Sequence, residues 1–138
     1  MGINLSTAVR NARLDAIEAA IGADAILKIR SGAMPANCAA ADAGTVLATL
    51  ALPSDYMAAA ASGQKAKSGT WSDGDDADAT GVAAHFRLYA SDGTTCHLQG
   101  AVTATGGGGD LEVLNVNFAV NQPFTVTAFT LTDGNAGS

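Results

Sequence analysis

The sequence predicts a mainly β fold: an antiparallel β-sandwich of about seven to eight strands preceded by one N-terminal α-helix. Three observations predict it. Residues 80–132 alternate apolar and polar side chains, interrupted mainly by Gly, Asn and Asp, with little charge. Shorter runs of the same kind recur earlier, at the spacing of a sandwich. A helical apolar period occurs once, at the start. With 138 residues the chain is one domain by length, long enough to bury a core without staples. It divides into a helix or arm over 1–22 and a sandwich over 23–138.

In the helix, Ser6 or Thr7 is placed to cap the start. Val9, Leu14, Ile17 and Ile21 form an apolar stripe among alanines, and Gly22 is placed to end it in a left-handed cap. Such a helix is marginal alone, so its stripe must pack on the β body or on another subunit. Residues 25–30 put Leu27 and Ile29 on one strand face and Lys28 and Arg30 on the other. Residues 31–44 read as a loop. Residues 45–52 carry Val46, Ala48, Leu50 and Leu52 in phase and stop at Pro53. Residues 56–61 and 65–71 are weaker strands, poor in β-formers.

The best-formed element is a hairpin, 82–90 followed by 94–102. A three-residue loop, Ser91-Asp92-Gly93 with Gly93 left-handed, pairs Val82 with Val102, Phe86 with Leu98 and Leu88 with Cys96. Because a one-residue slip would turn the apolar set outward, this register is preferred over a two-residue turn. The opposite face then carries His85, Arg87, Tyr89, His97 and Gln99, toward solvent or a neighbour. Residues 111–120 and 124–132 each change phase midway, the mark of bulges or of strands passing between sheets. Gly106 to Gly109 joins two strands.

Seven Lys and Arg stand against thirteen Asp and Glu, a net charge of −6. The first 30 residues hold four basic and three acidic groups, so the rest holds three against ten. A body this acidic argues against nucleic acid as a partner, and against an anionic membrane. No apolar run of about eighteen residues could span a bilayer. The opening Met1-Gly2-Ile3-Asn4-Leu5 lacks the pattern of a secretory leader. Only 14% of residues are charged, and a surface of small side chains suits a protein held against neighbours. Cys38 and Cys96 lie far apart in sequence yet can meet in space; two buried free thiols are expected.

Few constellations could carry chemistry. The acidic run holding Asp73, Asp75, Asp76 and Asp78 is a weak calcium candidate, since alternate carboxylates suit a hard cation. As an EF-hand it fails, with Ala77, Asp78 and Ala84 where a ligand, a glycine and a glutamate belong, and a solvated turn is the plainer reading. The four glycines at 106–109 precede Asp110-Leu111-Glu112 rather than the Lys and Ser/Thr of a phosphate loop. Adjacent strand residues point oppositely, so Cys96 and His97 make no nucleophile–base pair. His85 and His97 lack further zinc ligands and are expected at a surface or interface. Trp71 belongs in the core or, with Tyr89, lines a carbohydrate or protein interface. No catalytic residue and no cofactor is expected.

Three stretches resemble small virion proteins of tailed bacteriophages and prophages. The first is Ile26-Leu27-Lys28-Ile29-Arg30-Ser31-Gly32-Ala33-Met34-Pro35-Ala36, continuing through Gly44-Thr45-Val46-Leu47-Ala48-Thr49-Leu50. The second is Ala79-Thr80-Gly81-Val82-Ala83-Ala84-His85-Phe86-Arg87-Leu88, and the third Phe124-Thr125-Val126-Thr127-Ala128-Phe129-Thr130-Leu131. The resemblance implies a non-enzymatic capsid decoration (cement) protein. Such proteins are small, β-rich, often trimeric and seated at capsomer junctions. The expected partners are then the major capsid protein and further copies of the chain. The expected location is the virion's capsid surface, after synthesis in the bacterial host cytoplasm. Arg10, Arg13, Leu14, Ile17 and Ile21 on the helix become the interface candidates. The alternative is a tail- or fibre-associated adhesin module that binds surface glycans.

Overall fold

The computed structural model describes residues 3–71 and 76–132. These hold one helix, α1 (Thr7–Ile21), and nine strands: β1 (Ile26–Arg30), β2 (Val46–Ala51), β3 (Gln64–Ala66), β4 (Gly81–Val82), β5 (His85–Tyr89), β6 (Cys96–Ala104), β7 (Leu111–Val113), β8 (Asn117–Phe118) and β9 (Val126–Thr132). The fold is mainly β, as predicted. Seven strands form one mixed sheet in the order β2-β1-β5-β6-β7-β9-β3, and β4 pairs with β8 in a small second sheet. Every pairing is antiparallel except β6 with β7, which is parallel.

The long strand β6 makes the sandwich. Residues up to Ala101 pair with β5, whereas Val102 to Ala104 pair with β7. The sheet turns there, and its halves face each other: Phe86 of β5 meets Phe129 of β9 edge-on, centroids 5.6 Å apart. Trp71 packs against Phe129 at 5.2 Å and against Tyr56 at 6.3 Å, and its indole N–H donates to Tyr56 O at 3.1 Å. Trp71 is therefore core. Leu27, Ile29, Ala48, Leu50, Leu88, Val102, Leu111, Val113 and Val126 complete the apolar layer.

Single-residue bulges keep that layer in phase. Leu88 pairs with Leu98 but Tyr89 with Cys96, leaving His97 as the extra residue. Gly93 is left-handed as predicted, at φ 71°. However, Ala90 N–H donates to Thr95 O, so four residues separate the strands. With the bulge, the register lies two residues from the predicted one: Phe86 faces Gly100 and Arg87 faces Gln99. An even shift preserves which side chains share a face. Thr127 is likewise extra in β9, because Glu112 pairs with Ala128 and Val113 with Val126. That bulge accounts for the phase change seen in the sequence. In β2 the extra residue is Leu47, which is buried, while Val46 is displaced to a half-buried position.

Two strand expectations do not hold. Residues 56–61 form only isolated bridges, Met57 with Lys67 and Ala61 with Gln64. Val82 does not pair with Val102; it lies opposite Asn117 in the small sheet. The chain breaks at Ala83 and Ala84, whose amides donate to Val116 O and Arg30 O instead of continuing one ladder.

Candidate functional site

The outward face of the predicted hairpin is buried. Arg87 and His85 are 1% exposed and Tyr89 is 0%, so the expectation of a solvent- or partner-facing surface is overturned. The cover is the chain's own loop, residues 31–44, laid across β1, β5 and β6 as a strap. Asp42, the one charged residue of that loop, accepts from Arg87 Nη1 and from Tyr89 Oη at 2.7 Å, and forms an ion pair at 3.1 Å with Arg30 Nη2, which itself donates to Tyr89 Oη at 3.3 Å. Arg87 also donates through Nη2 to Asn37 O at 3.0 Å and Ala40 O at 3.2 Å, and through Nε to Gln99 Oε1 at 3.2 Å. Gln99 Nε2 donates to Pro35 O at 2.7 Å, and His85 Nδ1 lies 2.9 Å from Gly32 O. Where the strap rejoins the sheet, Gly44 sits at φ 75°, and a Cβ there would lie 1.8 Å from Ser31 O.

This cluster holds charge in place rather than offering it. Partial burial alone would raise the Asp42 carboxyl, but Tyr89 and the two guanidinium groups outweigh it and hold it below its ordinary value. For Arg87, burial opposes the charge and Asp42 restores it. His97, the bulge residue, stays exposed. Cys38 and Cys96 are free and half-buried.

The helix candidates are mostly engaged within the molecule. Leu14 and Ile21 are buried, and half-buried Ile17 packs against the core. The guanidinium of half-buried Arg10 lies over Gly63, close enough that a Cβ there would meet it at 2.4 Å. Lys65, from β3, is buried beneath α1, where its amine reaches Asp15 and Glu18, each at 2.8 Å, and Ala58 O at 2.9 Å. Burial works against the ammonium, but the two carboxylates raise its pKa overall. Asn11 and Asp15 accept from the Gly63 and Ala60 amides. The stripe therefore meets the β body, the first of the two predicted options; Arg13 lies at an exposed position.

Of the calcium candidates, Asp73 and Asp75 lie outside the described residues. Asp76 is half-buried with φ 73° and Asp78 is exposed. Among the described residues no group of three or more His, Cys, Asp or Glu side chains is placed to hold a metal ion. No helix is long and apolar enough to cross a membrane.

The surface with a distinct chemistry lies at the β4–β8 end. Residues 113–132 contain no Lys, Arg, Asp or Glu. Exposed apolar side chains gather there: Leu114 is 78% exposed, Val82 56% and Val120 51%. Val82 lies across from Asn117, and Val120 N–H donates to Thr80 Oγ1 at 3.0 Å, which ties these segments together. Beside them is a cavity of about 370 Å³, lined by Leu114, Phe118, Pro123 and Phe124 with the amides of Asn115, Asn117 and Gln122 at its rim. The Phe118 and Phe124 rings lie 4.9 Å apart, their planes tilted by 41°. Asn115 Oδ1 accepts from the Asn117 backbone and side chain, and Gln122 Oε1 from Ala119 N–H, so the rim is held in shape. A charge-depleted, partly aromatic patch is the composition that protein interfaces favour at their centres.

Comparison with family models, with curated proteins and with solved structures finds no match for the chain.

Proposed function

We propose that the chain is a non-enzymatic structural protein of a bacteriophage particle, a capsid decoration protein that binds and stabilises the head shell. The observation that carries this reading is the uncharged end around Leu114, Val82 and Val120, an apolar surface on a chain of net charge −6. It joins the sequence resemblance in pointing to an assembly role. The major capsid protein and further copies of the chain, as a trimer, are the proposed partners, and the outer head surface the proposed location. The attachment surface is the β4–β8 end; the stripe of α1 is occupied by the chain's own body.

The test is to image particles from the phage or prophage that carries the gene at subnanometre resolution. Many fixed copies on the head, with the β4–β8 end against the shell, are expected. The variant Leu114→Glu/Val120→Glu, altered only at exposed positions, should fold and no longer join particles. Unchanged incorporation, or density confined to the tail, would overturn the proposal.

The cavity favours a second reading, the glycan-binding tail or fibre module. Trp71 and Tyr89 cannot line its site, being 1% and 0% exposed. The Phe118–Phe124 floor with its amide rim has the apolar-plus-hydrogen-bonding character that a neutral sugar ring needs. Binding of neutral oligosaccharides that disappears in Phe124→Ala would favour this reading over the first.

A further inference from the structure

We propose that Cys38 and Cys96 form a reversible disulfide that staples the strap to the sheet. The two residues come from the two bodies that the strap cluster joins. Cys38 lies in the strap between Asn37 and Ala40, whose carbonyls are both held by Arg87 Nη2. Cys96 opens β6 opposite Tyr89, the residue that donates to Asp42 from the same sheet face. Tyr89 and Gln99 thus fix the strap on either side of the pair, through Asp42 and through Pro35 O. Both thiols are half-buried and reduced, and Cys96 Sγ donates to Leu98 O at 3.5 Å. Burial, and then the neighbouring Cys38, push the Cys96 thiol up to about 11. Exchange at neutral pH is therefore slow, because the thiolate is the attacking species.

The bridge needs a two-electron oxidant, supplied here by a small-molecule disulfide. One protein thiolate attacks a sulfur of the reagent, giving a mixed disulfide and expelling one small thiolate. The second protein thiolate then attacks the protein-side sulfur, forms the Cys38–Cys96 bond and expels the other. Two protein thiols lose two protons and two electrons, and one reagent disulfide becomes two thiols. The closed loop spans roughly sixty residues. Its main effect is to restrict the unfolded chain, which for a loop of this length corresponds to a melting-temperature rise on the order of 5–15 °C.

The test uses the whole protein incubated with oxidised glutathione, read by intact mass, thiol titration and melting. The expected product is monomeric, has lost both titratable thiols, carries no glutathione and melts higher, with reduction reversing the shift. Cys38→Ser and Cys96→Ser should each remain folded, retain one mixed disulfide with glutathione and show no rise. Two glutathione adducts on the unaltered protein, or bridges only between chains, would overturn the proposal. So would thiols still intact at pH 9, where the thiolate fraction is about a hundredfold that at pH 7.

Discussion

The central strands β1, β5 and β6 present two buried faces made by opposite chemistry. Toward the sandwich, Leu27, Ile29, Phe86, Leu88 and Val102 form an apolar layer with Trp71 and Phe129, in which the Trp71 indole N–H is satisfied by Tyr56 O. Toward the strap, Arg30, His85, Arg87 and Tyr89 are as deeply buried, yet nearly every contact is a hydrogen bond or an ion pair. The apolar face tolerates approximate partners and asks mainly for volume. The polar face asks for particular atoms, and it is incompletely served. Among the described residues, buried Arg30 Nε and His85 Nε2 have no hydrogen-bond partner. Two guanidinium groups also share a single carboxylate there. One face stabilises the fold, and the other chooses which segment of chain lies on it.

The largest effect is expected from Phe86→Ala on the apolar face, a loss of about 3–5 kcal/mol from a cavity left among packed aromatic rings. Denaturant unfolding should show it, with protection of strap and sandwich amides falling together. Equal loss of stability without loss of strap protection would break the symmetry assumed between the faces. Its neighbour on the other face is probed through Asp42→Asn, which leaves two buried guanidinium groups without a counter-charge. About 2–3 kcal/mol is expected, toward the lower end for a broken buried pair because the Asp42 side chain is 40% exposed and water screens what remains. Here hydrogen exchange should report the strap amides of Ala39, Ala40 and Thr45 loosening first.

Acid should mimic that substitution reversibly. The Asp42 carboxyl is held below its ordinary value of about 4, so its contribution is complete above that pH and fades as pH falls through the lowered folded value. Strap protection factors should therefore drop as pH falls below about 4, and protection that stays level down to acid unfolding would remove Asp42 from its assigned place. The Asp15 carboxyl, lowered chiefly by its hydrogen bond from Lys65, changes in the same direction and should loosen α1 over the same range. The smallest effect on stability is expected at Leu114→Ser, within about 0.5 kcal/mol, because the side chain touches little of its own molecule. Its consequence should appear in association alone.

The helix, its Ser6 cap, the strand faces and the phase changes were legible because each depends on local periodicity. Val9 N–H donating to Ser6 Oγ at 3.2 Å is an outcome of that kind, whereas Gly22 ends the helix at φ 86° and ψ 176° rather than in the left-handed helical cap expected of it. The sharing of one face by His85, Arg87 and Tyr89 was legible too, since parity survives an even register shift. What covers that face was not. The strap is held largely through its carbonyl groups, at Gly32, Pro35, Asn37 and Ala40, and carbonyls are common to every residue type. The available signal was Asp42, a lone charge in a neutral loop, set against buried-phase arginines on neighbouring strands. At the β4–β8 end, the missed signal was the twenty-residue absence of charge over 113–132.

The strand order also bears on how the molecule comes together. The half made of β2, β1, β5 and β6 is complete, strap included, once residue 104 has been made. In the other half, β9 lies between β7 and β3, and Gln64–Ala66 waits for Thr130 to Thr132 as its partners. A nascent chain therefore passes through a stage with one half sealed on its strap side and bare on its apolar side. Leu27, Ile29, Phe86 and Leu88 then stand uncovered until the last strand arrives. Pairings so distant in sequence are slow to form, and an open apolar sheet is the species most prone to aggregate. The strap, by closing the other side early, halves the surface exposed during that interval.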